Sequence, residues 1–209
     1  MEKAEKKDKI EIRKDRVQRL CENLENEGYK KNDLTISAET ANTIAILTTL
    51  LPIGIYIILF GFIAGWDNYK NINHDLLIIS MFVSIIVHEL IHGVVFSLFA
   101  PNHFASIEFG MLWKSLNPYC YCGQPINKVQ YLIAVLMPGI ILGTGVGAVA
   151  IVTSSATWLV FSLFSYIGAS GDFLVALKIL KFSVRGKKAL FLDHPDKPGL
   201  LVFTKEVKD

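Results

Sequence analysis

Residues 76–100 read LLIISMFVSIIVHELIHGVVFSLFA, an apolar run whose ionisable side chains are confined to His88, Glu89 and His92. The run is longer than the ~20 residues that cross a bilayer core, so it predicts a membrane helix. At helical spacing His88 and His92 fall one turn apart on one face. Many zinc hydrolases hold their metal in this way, with the glutamate between the histidines as general base. Ionisable groups in hydrocarbon are costly unless they pair with one another, with a metal or with a polar cavity. Three of them here mark a functional site, with metal binding as the first reading and a metal-free polar cluster or proton relay as the second.

Working outward, three further stretches are nearly free of charge: residues 41–65, 129–152 and 156–178. With 52% hydrophobic and 19% charged residues in a chain of 209, four span-length runs are more than a water-soluble core of this size requires. The charges collect at the ends. Residues 1–33 hold ten Lys/Arg and nine Asp/Glu, and Lys181, Arg185, Lys187, Lys188 and Lys197 follow the last run. Between the spans, segment 66–75 has only Lys70 and segment 153–155 has none, while segment 101–128 carries Lys114 and Lys128. The positive-inside bias then predicts an even number of spans in the cytoplasmic membrane, with both termini cytoplasmic. The first apolar run begins only after about 40 residues and is long enough to span, so it reads as a span and not as a signal peptide. A net charge of +2 decides little. The basic residues flank spans instead of forming a groove, so the expected partners are the bilayer and a substrate, with no nucleic acid. Oligomeric state stays open. Cys21, Cys120 and Cys122 form no disulfide framework.

The expected fold is an all-α membrane protein with four transmembrane helices in residues 41–181. Residues 1–40 form a cytoplasmic segment in which Ile10, Val17, Leu20, Cys21 and Leu24 mark one amphipathic helix, stopped by Gly28. That helix lies on the membrane surface or packs against the loops. Leu34 to Ser37 is β-prone and leads into the first span, which Pro52 and Gly54 kink. In the loop 101–128, alternation through Ala105-Ser106-Ile107-Glu108-Phe109, with Gly110, Pro118, Gly123 and Pro125, predicts a β-hairpin. Residues 182–209 read as a cytoplasmic tail.

A catalytic zinc commonly has three protein ligands and an open position. Spans one and three contain no Asp, Glu, His or Cys in their interiors, and span four contains only Asp172. Depth agrees with that choice. At a rise of 1.5 Å per residue, His92 lies ~12 Å and Asp172 ~13 Å from the same boundary. His103, Cys120 and Cys122 compete for the position, with loop packing as their ordinary explanation, and His74 and His194 read as solvated. Zinc held by His88, His92 and Asp172 would activate a water, with Glu89 taking its proton. Pro138, at a similar depth in span three, leaves room for water or substrate or makes a packing kink.

His88-Glu89-Leu90-Ile91-His92-Gly93, Pro118-Tyr119-Cys120-Tyr121-Cys122, Met137-Pro138 and Gly168-Ala169-Ser170-Gly171-Asp172 together resemble the putative zincin peptidase family of small prokaryotic membrane proteins. The chain is also distantly similar to site-2-type intramembrane metalloproteases. Here the aspartate stands in Gly-Ala-Ser-Gly-Asp-Phe instead of their usual Asn-Pro…Asp-Gly. The resemblance implies His88 and His92 as ligands, Glu89 as the catalytic group and Asp172 as third ligand. The expected activity is hydrolysis of a peptide bond in a peptide or membrane-protein substrate. The alternatives are a non-catalytic metal-binding or transport protein with the same ligands, and a structural protein with a packed polar cluster.

Overall fold

The computed structural model describes residues 2–35, 38–112 and 117–207. Ile36 and Ser37 of the β-prone lead-in, and Lys114 of the long loop, lie outside the described residues. The apolar run is helix α3 (His74–Phe99). Asn73 caps it by accepting the Leu76 N–H at 3.0 Å, which satisfies one donor of the first turn. Ala100, extended before Pro101, ends it. Helix α2 (Ala38–Ala64) runs through Pro52 without a break. Helix α4 (Lys128–Pro138) starts at an Asn127/Gln130 capping box, passes through a π-helical stretch at Gly139–Gly145 and continues as α5 (Val146–Val152).

The last apolar run differs from a straight span. Small residues Gly168-Ala169-Ser170-Gly171 divide it into α6 (Ala156–Gly168) and α7 (Ser170–Lys181), bent by 50°. Among the described residues, three helices are long and apolar enough to cross a membrane, Leu47–Ala64, His74–Phe99 and Lys128–Val152, and the bent pair makes a fourth only if its halves count together. These helices expose Leu51, Phe62, Phe82, Ile86, Leu98 and Val152, apolar surface that suits lipid better than water.

The all-α expectation is corrected by a sheet. The molecule is mostly helical, but β1 (Lys30–Thr35), β4 (Ile126–Asn127), β5 (Lys187–Asp193) and β6 (Gly199–Glu206) form an antiparallel sheet in the order β1-β6-β5-β4. Leu200-Leu201-Val202-Phe203 shows why the strands were hidden in the sequence. The run is apolar at every position, because the sheet is covered on both faces and alternation disappears. Leu200 and Val202 join Phe96, Ala100, Tyr131 and Phe191 at the end of the helices. Leu201 and Phe203 pack instead on Val17, Cys21 and Leu24 of α1 (Glu2–Asn26). The amphipathic N-terminal helix is thus seated on this sheet, and Gly28 follows it at φ 88°, a left-handed turn that glycine adopts without strain.

The hairpin appears as predicted, with β2 (Ile107–Leu112) antiparallel to β3 (Asn117–Cys122). It lies against α3 so closely that a Cβ on Gly93 would sit 2.2 Å from Cζ of Phe109. A side chain at this position must push the hairpin or the ring away. Gly93→Leu should lower the melting temperature, at an overpacking cost of about 1–3 kcal/mol. Phe109→Ala in the same chain should recover part of that loss. Strictly additive losses in the double variant would show that the two residues do not compete for this space.

Candidate metal centre

His88 and His92 occupy one face of α3 with ring centroids 4.9 Å apart. The bend before α7 puts Asp172 in that helix's first turn, opposite both rings. Its Oδ2 lies 3.0 Å from His88 Nε2 and its Oδ1 3.4 Å from His92 Nε2. One donor atom from each residue falls within 4.8 Å of the others, so the three could hold a metal ion. The fit can be tested by size. Tetrahedral zinc with bonds of ~2.0–2.1 Å separates its donor atoms by roughly 3.3 Å, close to the spacings between the carboxylate and the two imidazoles.

His92 is held in the tautomer such a site needs. Its Nδ1 lies 2.9 Å from the Ala134 carbonyl oxygen, and a carbonyl can only accept, so Nδ1 carries a proton and Nε2, on the side of Asp172, is the nitrogen left to bind a metal. Ala134 can spare its oxygen for a reason written in the sequence. Four residues on stands Pro138, which has no N–H to donate back to that carbonyl. Pro138 had suggested room for water or a packing kink; what the structure shows is a freed acceptor.

Glu89 stands beside the two histidines, and the backbone N–H of Cys120 in β3 points at its carboxylate. Glu89, His92 and Asp172 line one end of a cleft of about 410 Å³, with Phe96, Val135 and Val175 along its walls. At the other end stand Arg13 and the turn between β5 and β6. The remaining candidates stand outside this three-residue group. His103 lies against the Ser97 carbonyl oxygen, 3.0 Å away, outside the cluster. Burial raises both hairpin thiols, Cys122 to about 12, and neither sulfur joins the group formed by His88, His92 and Asp172. His74 is exposed as expected. His194 is not: its side chain is 10% exposed, and its Nδ1 accepts the N–H groups of Asp196 and Lys197.

Two residues near the site carried no signal in the sequence. Asp193, at the end of β5, is buried and accepts the Tyr131 hydroxyl and, at 2.7 Å, the Cys122 N–H. In sequence it is one acid in a charged tail. Arg13 looks like one of many charges on α1. In the structure its guanidinium donates to Glu108 at 2.9 Å and lies 4.1 Å from the centre of the Tyr121 ring.

Comparison with known proteins adds one match. A family described as putative zincin peptidase matches residues 81–185, a stretch that contains His88, Glu89, His92 and Asp172. No curated protein and no solved structure matches the chain.

Two measurements follow from this geometry. Pro138→Ala restores an N–H that competes for the Ala134 oxygen, so zinc affinity, read by chelator competition, should fall by roughly 10–100-fold, the usual cost of losing a metal ligand's outer partner. Unchanged affinity would mean that the carbonyl does not position His92. Burial also raises the Asp193 carboxyl above its ordinary value, against the opposing effect of its hydrogen bonds. A raised acid contributes stability below its unfolded pKa and loses that contribution as pH climbs through the folded value. The melting temperature of the wild type should therefore fall relative to Asp193→Asn as pH rises above the ordinary carboxyl range. A pH-independent difference would contradict this.

Proposed function

The chain belongs to the putative zincin peptidase family, and from that membership we propose that it is a membrane-embedded zinc metallopeptidase. The observation that carries this reading is the convergence of His88 and His92 on the Asp172 carboxylate, at 3.0 and 3.4 Å, with Glu89 beside them in the same cleft. Zinc held by these three residues would lower the pKa of water from 15.7 towards ~7 and polarise the scissile carbonyl.

The chain's own residues supply the rest. Glu89 takes the proton of the attacking water and returns it to the leaving amine. The Cys120 N–H is placed to donate to its carboxylate. The Ala134 carbonyl holds the His92 ring, and the apolar walls of Phe96, Val135 and Val175 keep bulk water from the reacting atoms. The three apolar helices, with the bent pair α6–α7 counted as a fourth crossing, and the Lys/Arg-rich ends support a place in the cytoplasmic membrane, with both termini and the sheet on the cytoplasmic side.

Purified wild type should contain one zinc per chain, and His88→Ala or Asp172→Ala should lose it. Glu89→Gln should keep the metal and cleave denatured casein roughly 10²–10⁴-fold more slowly. Wild type without stoichiometric zinc, or Glu89→Gln with undiminished cleavage, would sink the proposal.

A further inference from the structure

The route into the cleft distinguishes two kinds of substrate. A transmembrane helix would approach sideways through lipid, across the exposed flank of α3 beside Glu89, where Leu90, Val94 and Leu98 face outward. None of these residues lines the cleft. Its far end is framed instead by Ile10 and Arg13 of α1 and by residues 193–199 between β5 and β6. These segments belong to the sheet end of the molecule. There β4 runs directly into α4, Lys178 of α7 donates to the Thr35 carbonyl at the end of β1, and Ala100 at the end of α3 packs with Leu200 and Val202. That end is polar. Asp196 and Lys197 of the turn line it and are exposed, and exposed charge of this kind belongs in water.

The frame is also tied together. Arg13 bridges Glu108 of the hairpin and the Pro195 carbonyl of the turn, at 2.9 and 3.4 Å, and Lys14 pairs with Asp196. Helix α1 therefore holds the hairpin and the turn at a set distance. Within the frame, β3 offers the cleft its outer edge. The Cys122 N–H turns away from β2 to Asp193, and the Cys120 N–H, two residues back on the same side, points at Glu89. The cleft's volume of about 410 Å³ is that of a small-ligand pocket, room for a few residues of extended chain.

We infer that the cleft takes an extended polypeptide segment entering from the aqueous, sheet-bearing end, and that the substrate is an unfolded peptide or a juxtamembrane segment instead of a helix within the bilayer. The chemistry of cleavage rests on the peptidase reading; the route does not.

The test uses the full-length, zinc-loaded Glu89→Gln chain in nanodiscs, so that binding is read without turnover. A photoreactive benzophenone amino acid is placed at Lys197, by the opening, or at Leu90, on the exposed flank. One probe is fluorescein-labelled denatured casein. The other is a labelled polyleucine transmembrane helix in the same nanodiscs. Casein should give an adduct at position 197 in large excess over position 90, lost when unlabelled casein is added. Absence of a casein adduct at 197 overturns the inference, as does a polyleucine adduct at 90 that exceeds the casein adduct at 197. If the 197 adduct forms but zinc-loaded wild type cleaves nothing, the route stands and the peptidase reading fails. If wild type cleaves casein without an adduct at 197, the route alone fails.

Discussion

A carboxylate between two imidazoles, inside a bundle of apolar helices, is the constraint to which the rest of the molecule answers. Each of these groups alone would be expensive to bury. Together His88, His92 and Asp172 offset much of that cost, and the offset depends on geometry. The two histidines come from one turn of α3 without difficulty. The carboxylate must come from a different helix and point across. The bend at Ala169 achieves this by ending α6 and starting α7 beside α3, so that Asp172 lies in a first turn, where the N-terminal end of the helix dipole favours a negative charge. Pro138 answers the same constraint from a third helix, by releasing a backbone oxygen to Nδ1 of His92.

Local spacing made part of this legible. His88, Glu89 and His92 are a fixed-period pattern on one helix, and Asp172 was the one acid left in the remaining spans, so elimination and depth could reach it. The hairpin was readable because Gly and Pro punctuate an alternating run. What stayed hidden depends on partners distant in sequence. Leu200 to Phe203 lost their alternation because both faces of β6 are covered, by α1 on one side and by the ends of the helices on the other. Asp193 and Arg13 look like members of charge-rich ends until Tyr131, Cys122, Glu108 and Tyr121 are brought to them. His194 was misjudged for the same reason, since its two backbone donors belong to a turn that only the β5–β6 pairing creates.

The role of Pro138 was half visible. A proline in a span signals a disturbed helix, and room for a ligand or a kink is the ordinary inference. The carbonyl four residues earlier is the more informative atom. In water a freed carbonyl finds a solvent partner at little cost. In an apolar bundle it must find a protein donor, and His92 is the donor present.

The sheet and hairpin follow from the same economy. A site made only of apolar helices would be sealed from water, whereas the proposed hydrolysis needs water, a proton acceptor and a way in for a peptide. Helices exposed to lipid cannot open such a path without leaving backbone groups unpaired. Strands can line one, because β3 satisfies its inner edge with β2 while its outer edge serves Glu89 and Asp193. The strand must still be held at the right distance from α7 and from the β5–β6 turn. Arg13 does that holding through Glu108, the Tyr121 ring and the Pro195 carbonyl. The N-terminal helix is therefore part of the wall of the site, and the residues farthest from the His-Glu-x-x-His pattern in sequence set the width of the opening that leads to it.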